Sequence, residues 1–261
     1  MAKFGNLKKL IEVSKNTQNI EQAFLSDLKW SIEEDDRKSA YKPSQYYKPS
    51  SMNCIRSVYY TRTGKDPDTV GNSYILWGIC NSGTDTHERV QQAVANMKGN
   101  GLKWEWINVA DYIKSHNLDY LEVISQNGME TKLRHKTLNL SFMCDGIIRY
   151  KNHYYILELK TESSSKWYNR ENVDPSHYNQ ATCYSLSLDI NEVVFVYINR
   201  DIFDMKSYVF EVTDDMKNGI VSLIDECDSY VNRLITPPKP ETVAKKTCEY
   251  CMYKGRCRKD V

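Results

Sequence analysis

Apolar positions recur at helical spacing in some stretches of the chain and at strand spacing in others. Near the N-terminus Leu7, Leu10 and Ile11 share one helical face, and Phe24, Leu25 and Leu28 share another. The first forty residues therefore read as polar helix. Residues 31–51, SIEEDDRKSAYKPSQYYKPSS, turn charged and then rich in Pro, Ser and Tyr, which predicts an extended connector. A short helix is expected around Cys54–Tyr60. A clearer one covers 83–101, where Val90, Val94 and Met97 form an apolar stripe, His87 lies one turn earlier on it, and Gly99 and Gly101 close it.

Strand-like runs follow in ETKLRHKTL, LSFMCDGIIRY and HYYILELK, between residues 130 and 161. Asp174 then Pro175 supply an N-cap and a proline at the first helical position for a helix over 174–188. EVVFVYINR (192–200) is a buried type of strand and SYVFEV (207–212) a second one. A long amphipathic helix over 214–235 ends before Pro237, Pro238 and Pro240. This order predicts an α/β fold in which helices flank a mixed sheet.

Composition narrows the class. The 261 residues are 41% hydrophobic and 26% charged, with 35 basic against 34 acidic residues. A disordered polyelectrolyte is excluded. No apolar run approaches a membrane span. The N-terminal MAKFGNLKKLIEVSKN has neither an apolar signal core nor a small-residue cleavage site, so a cytoplasmic protein is expected. Eight cysteines in such a chain read as buried thiols or metal ligands before disulfides. A net charge of +1 gives no global attraction to nucleic acid, so binding would need a local basic surface.

The densest chemical signal is CDGIIRYKNHYYILELKTE (144–162). With Lys151–Asn152 as a two-residue turn, Asp145 falls opposite Glu158 on one face of the hairpin. Opposed carboxylates destabilise a sheet unless a cation sits between them. Lys160, two residues on, emerges on the same face, and Leu159 leaves its carbonyl at the edge. Hard oxygen ligands suit Mg²⁺ or Mn²⁺. From the hairpin alone, a solvated surface cluster of Asp, Lys and Glu is an equal reading. Taken singly, His87 reads as a hydrogen-bonded core residue and Glu88 as a solvated face. Gln180 and Tyr184, four apart and sharing a face with His177, read as ordinary helix surface.

Together these elements resemble the RecB-type branch of the PD-(D/E)XK nucleases. The match runs in order through Gly83-x-x-x-His87, Asp145, Glu158-Leu159-Lys160 and Gln180-x-x-x-Tyr184. The resemblance implies a restriction-endonuclease-like core. It implies a divalent metal held by Asp145, Glu158, the Leu159 carbonyl and often His87. Lys160 would orient or activate the attacking water, and Gln180 and Tyr184 would contact DNA or brace the site.

The tail contains Cys248-x-x-Cys251-x5-Cys257, three of the four thiolates that a tetrahedral zinc site needs, with Cys54 a candidate for the fourth. The arrangement, with Ser51, Arg56 and Tyr59 around Cys54, is similar to the iron–sulfur subgroup of the same branch. That subgroup includes CRISPR-associated iron–sulfur exonucleases and the nuclease domains of bacterial helicase–nuclease recombination complexes. It implies a [4Fe–4S] cluster on Cys54, Cys248, Cys251 and Cys257 that joins the N-terminal and C-terminal segments, with zinc as the alternative. Cys80, Cys144, Cys183 and Cys227 read as small core residues.

Residues 239–261 hold seven basic and three acidic residues, a local basic surface that could guide a DNA strand by phosphate contacts or be a solvated tail. Tyr41, Tyr46 and Tyr47 could stack on bases, although packing onto the core is the commoner fate. The expected division is a helical extension and connector (1–50), a nuclease core (51–235) and a cysteine segment (236–261). The expected function is a metal-dependent deoxyribonuclease of phage or CRISPR type, a single-strand-preferring exonuclease with DNA as partner and no membrane. Protein partners would belong to recombination, repair or CRISPR adaptation, in a bacterial, archaeal or phage-infected cell. The rivals are a non-catalytic nucleic-acid-binding module with a zinc or iron–sulfur staple, and a structure-selective endonuclease.

Overall fold

The computed structural model describes residues 5–39, 44–68, 70–241, 243 and 245–260, and the side chains of these except 5–19 and Lys246. Tyr41 and the side chains of Leu7, Leu10 and Ile11 lie outside the described set. The chain divides into two compact units, Met1–Lys42 with Thr69–Ser82, and Pro43–Asp68 with Gly83–Val261.

The smaller unit is built on α1 (Gly5–Ser39). The helix runs on through 31–39, where the sequence predicts connector. That stretch has no proline, and Glu34 pairs with Arg37 (2.5 Å) and Lys38 (3.9 Å) at helical spacing. Asp36 and Glu33 accept backbone hydrogen bonds from Asn72 (2.6 Å) and Tyr74 (2.9 Å). Phe24, Leu25 and Leu28 are exposed. Cys80 is exposed too, against the expectation of a core thiol, whereas Cys144, Cys183 and Cys227 are buried as expected. Cys80 sits in the first turns of α3 (Tyr74–Asn96), which begins nine residues before the predicted helix and takes that segment into this unit.

The larger unit holds two sheets. Strands β1 (Trp104–Ile107), β5 (Gly146–Tyr150), β6 (His153–Glu162), β7 (Glu192–Asn199) and β8 (Met205–Glu211) form one, in the order β1-β5-β6-β7-β8. Only the β6–β7 pair is parallel, so the sheet is mixed and the class α/β. Strands β2 (Leu121–Asn127), β3 (Glu130–His135) and β4 (Leu140–Cys144) form a separate antiparallel sheet. The remaining helices are α2 (Ile55–Arg62), α4 (Val109–Ser115), α5 (Ser164–Tyr168), α6 (Tyr178–Leu188), α7 (Asp214–Arg233), α8 (Lys245–Glu249) and α9 (Lys254–Lys259). Asp174 caps Ser176 N at 3.0 Å as expected, but the turn that it starts is a 3-10 turn over Pro175–His177, and α6 itself begins at Tyr178, three residues after Pro175.

Six helices and strands are absent from the sequence reading: β1, α4, β2, α5, α8 and α9. They are four to seven residues long, too short to complete a recognisable period, and β1 is only partly buried. Alternation along β6 serves two cores. Leu157 and Leu159 pack with Val90 and Val94 of α3, Ile148 and Ile198. Ile156 faces the larger cluster, which takes residues from α2, α6 and α7. Of the connector tyrosines, Tyr46 and Tyr47 follow the packing alternative. Tyr47 bridges to Leu140, its buried ring lies under Arg62 (4.8 Å), and its hydroxyl donates to Asp228 (2.5 Å). Arg134 covers Tyr46 (4.1 Å).

The run LSFMCDGIIRY, expected as one strand, is broken at Asp145. Its first half belongs to the three-stranded sheet and its second half to the five-stranded one. Gly146 makes the crossing sterically feasible, because a Cβ there would stand 2.3 Å from the Trp106 ring. Gly146→Ala should therefore destabilise the fold by about 1–3 kcal/mol in urea denaturation. Adding Trp106→Ala should remove most of the additional cost, and a neutral Gly146→Ala would refute the close-packing argument.

Candidate active site

The hairpin register matches the sequence expectation, with Gly146 paired to Leu157 and Tyr150 to His153. The positive φ of the turn falls on Lys151 (56°), not on Asn152. The ladder ends at Gly146–Leu157, so Asp145 and Glu158 are not themselves a ladder pair. Strand β6 continues past the end of β5 with β7 on its other side. Its next outward backbone donor, Leu159 N–H, would be orphaned there. The Asp145 carboxylate takes it instead, at 2.7 Å. A residue's N–H and C=O leave a strand on the same side, so the Leu159 carbonyl faces this open edge.

Glu158 and Lys160 project from the α6 face of the sheet. Glu158 is 3% exposed. Its Oε1 accepts from Lys160 Nζ (2.5 Å) and Gln180 Nε2 (2.8 Å). Its Oε2 is buried and has no hydrogen-bond partner. Gln180 Oε1 accepts from Lys160 Nζ (3.0 Å), and its amide also donates to Tyr184 OH (2.8 Å). Gln180 and Tyr184 are both buried, Tyr184 stacking on Phe142 with centroids 4.9 Å apart. They are interior residues, not the helix surface that their spacing alone suggests. Burial pushes the Glu158 carboxyl up to about 7, and Asp145 adds to this while Lys160 opposes it.

On the other side of Asp145, His87 Nδ1 lies 3.7 Å from Oδ2. Burial disfavours the imidazolium, but the Asp145 carboxylate outweighs it and raises the His87 pKa. Gly83, one turn before His87, passes close to β6, since a Cβ there would meet Thr161 Oγ1 at 3.3 Å. Glu130 completes a group with His87 and Asp145 whose ligand atoms all lie within 4.8 Å of one another, a set able to hold a metal ion. Burial and the Asp145 charge raise the Glu130 carboxyl.

Sequence reasoning missed Glu130 because it alternates with Lys132 and Arg134 on the polar face of β3, which reads as solvent-facing. It missed Gln91 as well, whose buried Nε2 donates to the Asp145 carbonyl (2.8 Å) and anchors the strand break to α3. Gln91 follows His87 by one turn, the only hint that the sequence offers.

Cys54, Cys248, Cys251 and Cys257 line one cavity of about 290 Å³, together with Arg56, Lys239, Lys254 and Arg258. Arg56 Nη1 donates to Cys257 Sγ (3.5 Å) and Tyr253 N to Cys251 Sγ (3.4 Å). Among the described residues no three cysteine sulfurs lie within 4.8 Å of one another.

The raised Glu158 carboxyl has a thermodynamic consequence. Between the ordinary value of 4.5 and about 7, the folded protein holds a proton that the unfolded chain has released. Stability therefore falls as pH rises through that window, by an amount on the order of 2–3 kcal/mol. In EDTA, Glu158→Gln should flatten the loss of Tm between pH 5 and 8. Mg²⁺ or Mn²⁺ should restore Tm at pH 8 in the native protein and not in the variant. Equal pH profiles for both proteins would show that Glu158 is not held in this state.

No protein-family model and no curated protein sequence matches the chain. Among solved structures it is similar to SSO0001, at 15% identity and a TM-score of 0.48, over 91% of this chain and 98% of that one. It is also similar to LHK-Exo, an alkaline exonuclease from Laribacter hongkongensis, at 12% identity over 77% of this chain and 95% of that one. The TM-score is 0.37 for that structure and 0.41 for LHK-Exo in complex with dAMP. These likenesses are distant and assign no family.

Proposed function

We propose that the chain is a divalent-metal-dependent deoxyribonuclease of RecB-like PD-(D/E)XK type, hydrolysing phosphodiester bonds with Asp145, Glu158 and Lys160. The observation that carries this reading is Glu158 Oε2, a buried carboxylate oxygen without a donor. Such an oxygen is costly unless a cation faces it. Near it, Asp145, His87 and Glu130 bring ligand atoms within 4.8 Å of one another, a group that does not itself include Glu158, and the Leu159 carbonyl faces the same edge, so the donors on offer are mostly oxygens. Such donors fit a hard divalent ion. When bound, Mg²⁺ or Mn²⁺ would lower the pKa of a water and stabilise charge on the phosphate.

The chain's own groups supply position. Lys160 Nζ has three N–H donors, and two go to Glu158 and Gln180. The third can meet a phosphate oxygen or the attacking water. Gln180 ties Lys160 to Glu158 and takes its own orientation from Tyr184, which supports bracing over direct DNA contact for this pair. Exonuclease action and single-strand preference rest on the sequence resemblance.

At the second site the reading is a structural [4Fe–4S] cluster on the four cysteines. The shared cavity and the N–H donors to two of its sulfurs support it. A single zinc with sulfurs at ~2.3 Å would need the thiols drawn closer together. Lys239, Lys254 and Arg258 around this cavity suit phosphate contacts.

Asp145→Ala and Lys160→Ala should each abolish Mg²⁺- or Mn²⁺-dependent degradation of 5′- and 3′-labelled single- and double-stranded DNA, while both variants keep a cooperative melt. Activity equal to the native protein in both would overturn the assignment. Purified without oxygen, the protein should be brown, and Cys251→Ser should bleach it. A colourless protein carrying stoichiometric zinc would replace the cluster with zinc.

A further inference from the structure

We propose that His177 is a further substrate-contacting residue of this site, one that presents a neutral Nε2–H beside Lys160 to a non-bridging phosphate oxygen of the bound strand. The inference rests on the nuclease reading above and extends it to a residue outside the Asp–Glu–Lys set.

Strand register locates the ring. In the parallel β6–β7 pair Glu158 stands next to Phe195 and Lys160 next to Tyr197. Neighbouring residues on adjacent strands share a face, about 5 Å apart. His177 stacks on both of those β7 rings, with centroids 6.0 Å from Phe195 and 5.9 Å from Tyr197 and interplanar angles of 15° and 20°. The imidazole therefore lies on the face from which Glu158 and Lys160 project, one strand over. It is half-buried and precedes Gln180 by a single turn of chain.

Hydrogen bonding favours one tautomer. Tyr197 OH accepts from Asp174 N (3.0 Å) and lies 2.9 Å from His177 Nδ1. That oxygen could accept a second time, but Nδ1 is the acceptor that the described contacts place within reach of the hydroxyl proton, and donation to Nδ1 puts the ring's own proton on Nε2. The Arg170 guanidinium covers the Tyr197 ring at 4.2 Å and holds the relay in place. Burial, reinforced by Lys160, lowers the His177 pKa to about 3 and keeps the ring neutral. A fixed neutral donor adds a hydrogen bond to an anionic phosphate without repelling Lys160. Its orientation is set before the substrate arrives, so little reorganisation is needed.

Two near-isosteric variants separate this role from a structural one. A glutamine amide can reach the Nε2 position but not Nδ1, and an asparagine amide the reverse. Nuclease kinetics and oligonucleotide affinity in Ca²⁺ are measured for the native protein, Lys160→Ala, His177→Gln and His177→Asn, with thermal melts for each. His177→Asn should lose about tenfold in kcat/KM and in affinity, and His177→Gln no more than about threefold. If His177→Gln is worse than His177→Asn, the residue serves only to hold Tyr197 and the inference fails. It fails equally if His177→Asn matches the native protein while Lys160→Ala is inactive. If Lys160→Ala cleaves as well as the native protein, the nuclease reading is what falls, and the affinity comparison still decides whether His177 touches the strand.

Discussion

The hydrogen bond from Leu159 N–H to the Asp145 carboxylate is the joint on which the larger unit turns. Two sheets part at this point, and parting sheets leave backbone donors that must find partners away from water. Asp145 caps the exposed end of β6 and in doing so is drawn into a 7%-exposed position beside Glu158 and His87. A second tie, from Gln91 to the Asp145 carbonyl, fixes the same residue from α3. The geometry that exposes a strand edge is thus also what concentrates negative charge there.

Concentrated charge needs support, and the crossover between β6 and β7 supplies it. Lys160 and Gln180 share Glu158 Oε1, so α6 cannot shift along the sheet without breaking the Gln180 hydrogen bonds to the buried Glu158 and to Lys160. Just beyond, Glu162 is held by Arg170 in two contacts of 2.6 and 2.7 Å and by Lys166 at 2.9 Å. Arg170 and Lys166 also reach Asp174, the cap that starts the approach to α6. Ion pairs this buried contribute little net stability compared with apolar packing, but breaking one is costly. Their effect here is to fix where α5 ends and α6 begins, and hence where Gln180 and His177 stand over the sheet.

The C-terminal segment is fastened by contacts that need no bound group. Asp68 accepts from Gly255 N and from Arg256 N (3.1 Å), and Tyr60 OH donates to Asp260 (2.8 Å). The buried Arg56 guanidinium holds the Cys257 carbonyl (3.2 Å) and that of Asp260. These bonds bring the cysteines of the tail to Cys54 across a long loop whose closure is entropically costly. A cluster in their shared cavity would reinforce a closure that side chains already make.

Sequence alone determined the local features whose cause is local. Examples are the hairpin register about Lys151–Asn152, the Asp174–Pro175 start ahead of α6, the apolar stripe of α3 and the two-sided burial of β6. Each follows from a period or a turn preference spanning a few residues. Tertiary structure decided what depends on distant chain segments meeting. The break at Asp145 falls inside LSFMCDGIIRY, whose halves both favour strand, and only pairing to different sheets separates them. Glu130 looks solvated until β3 closes against Asp145. His177 is one more polar helix-end residue until β7 places Phe195 and Tyr197 beneath it. Period and propensity report a residue's own backbone, whereas the environment of a carboxylate or an imidazole is set by which other elements pack on it.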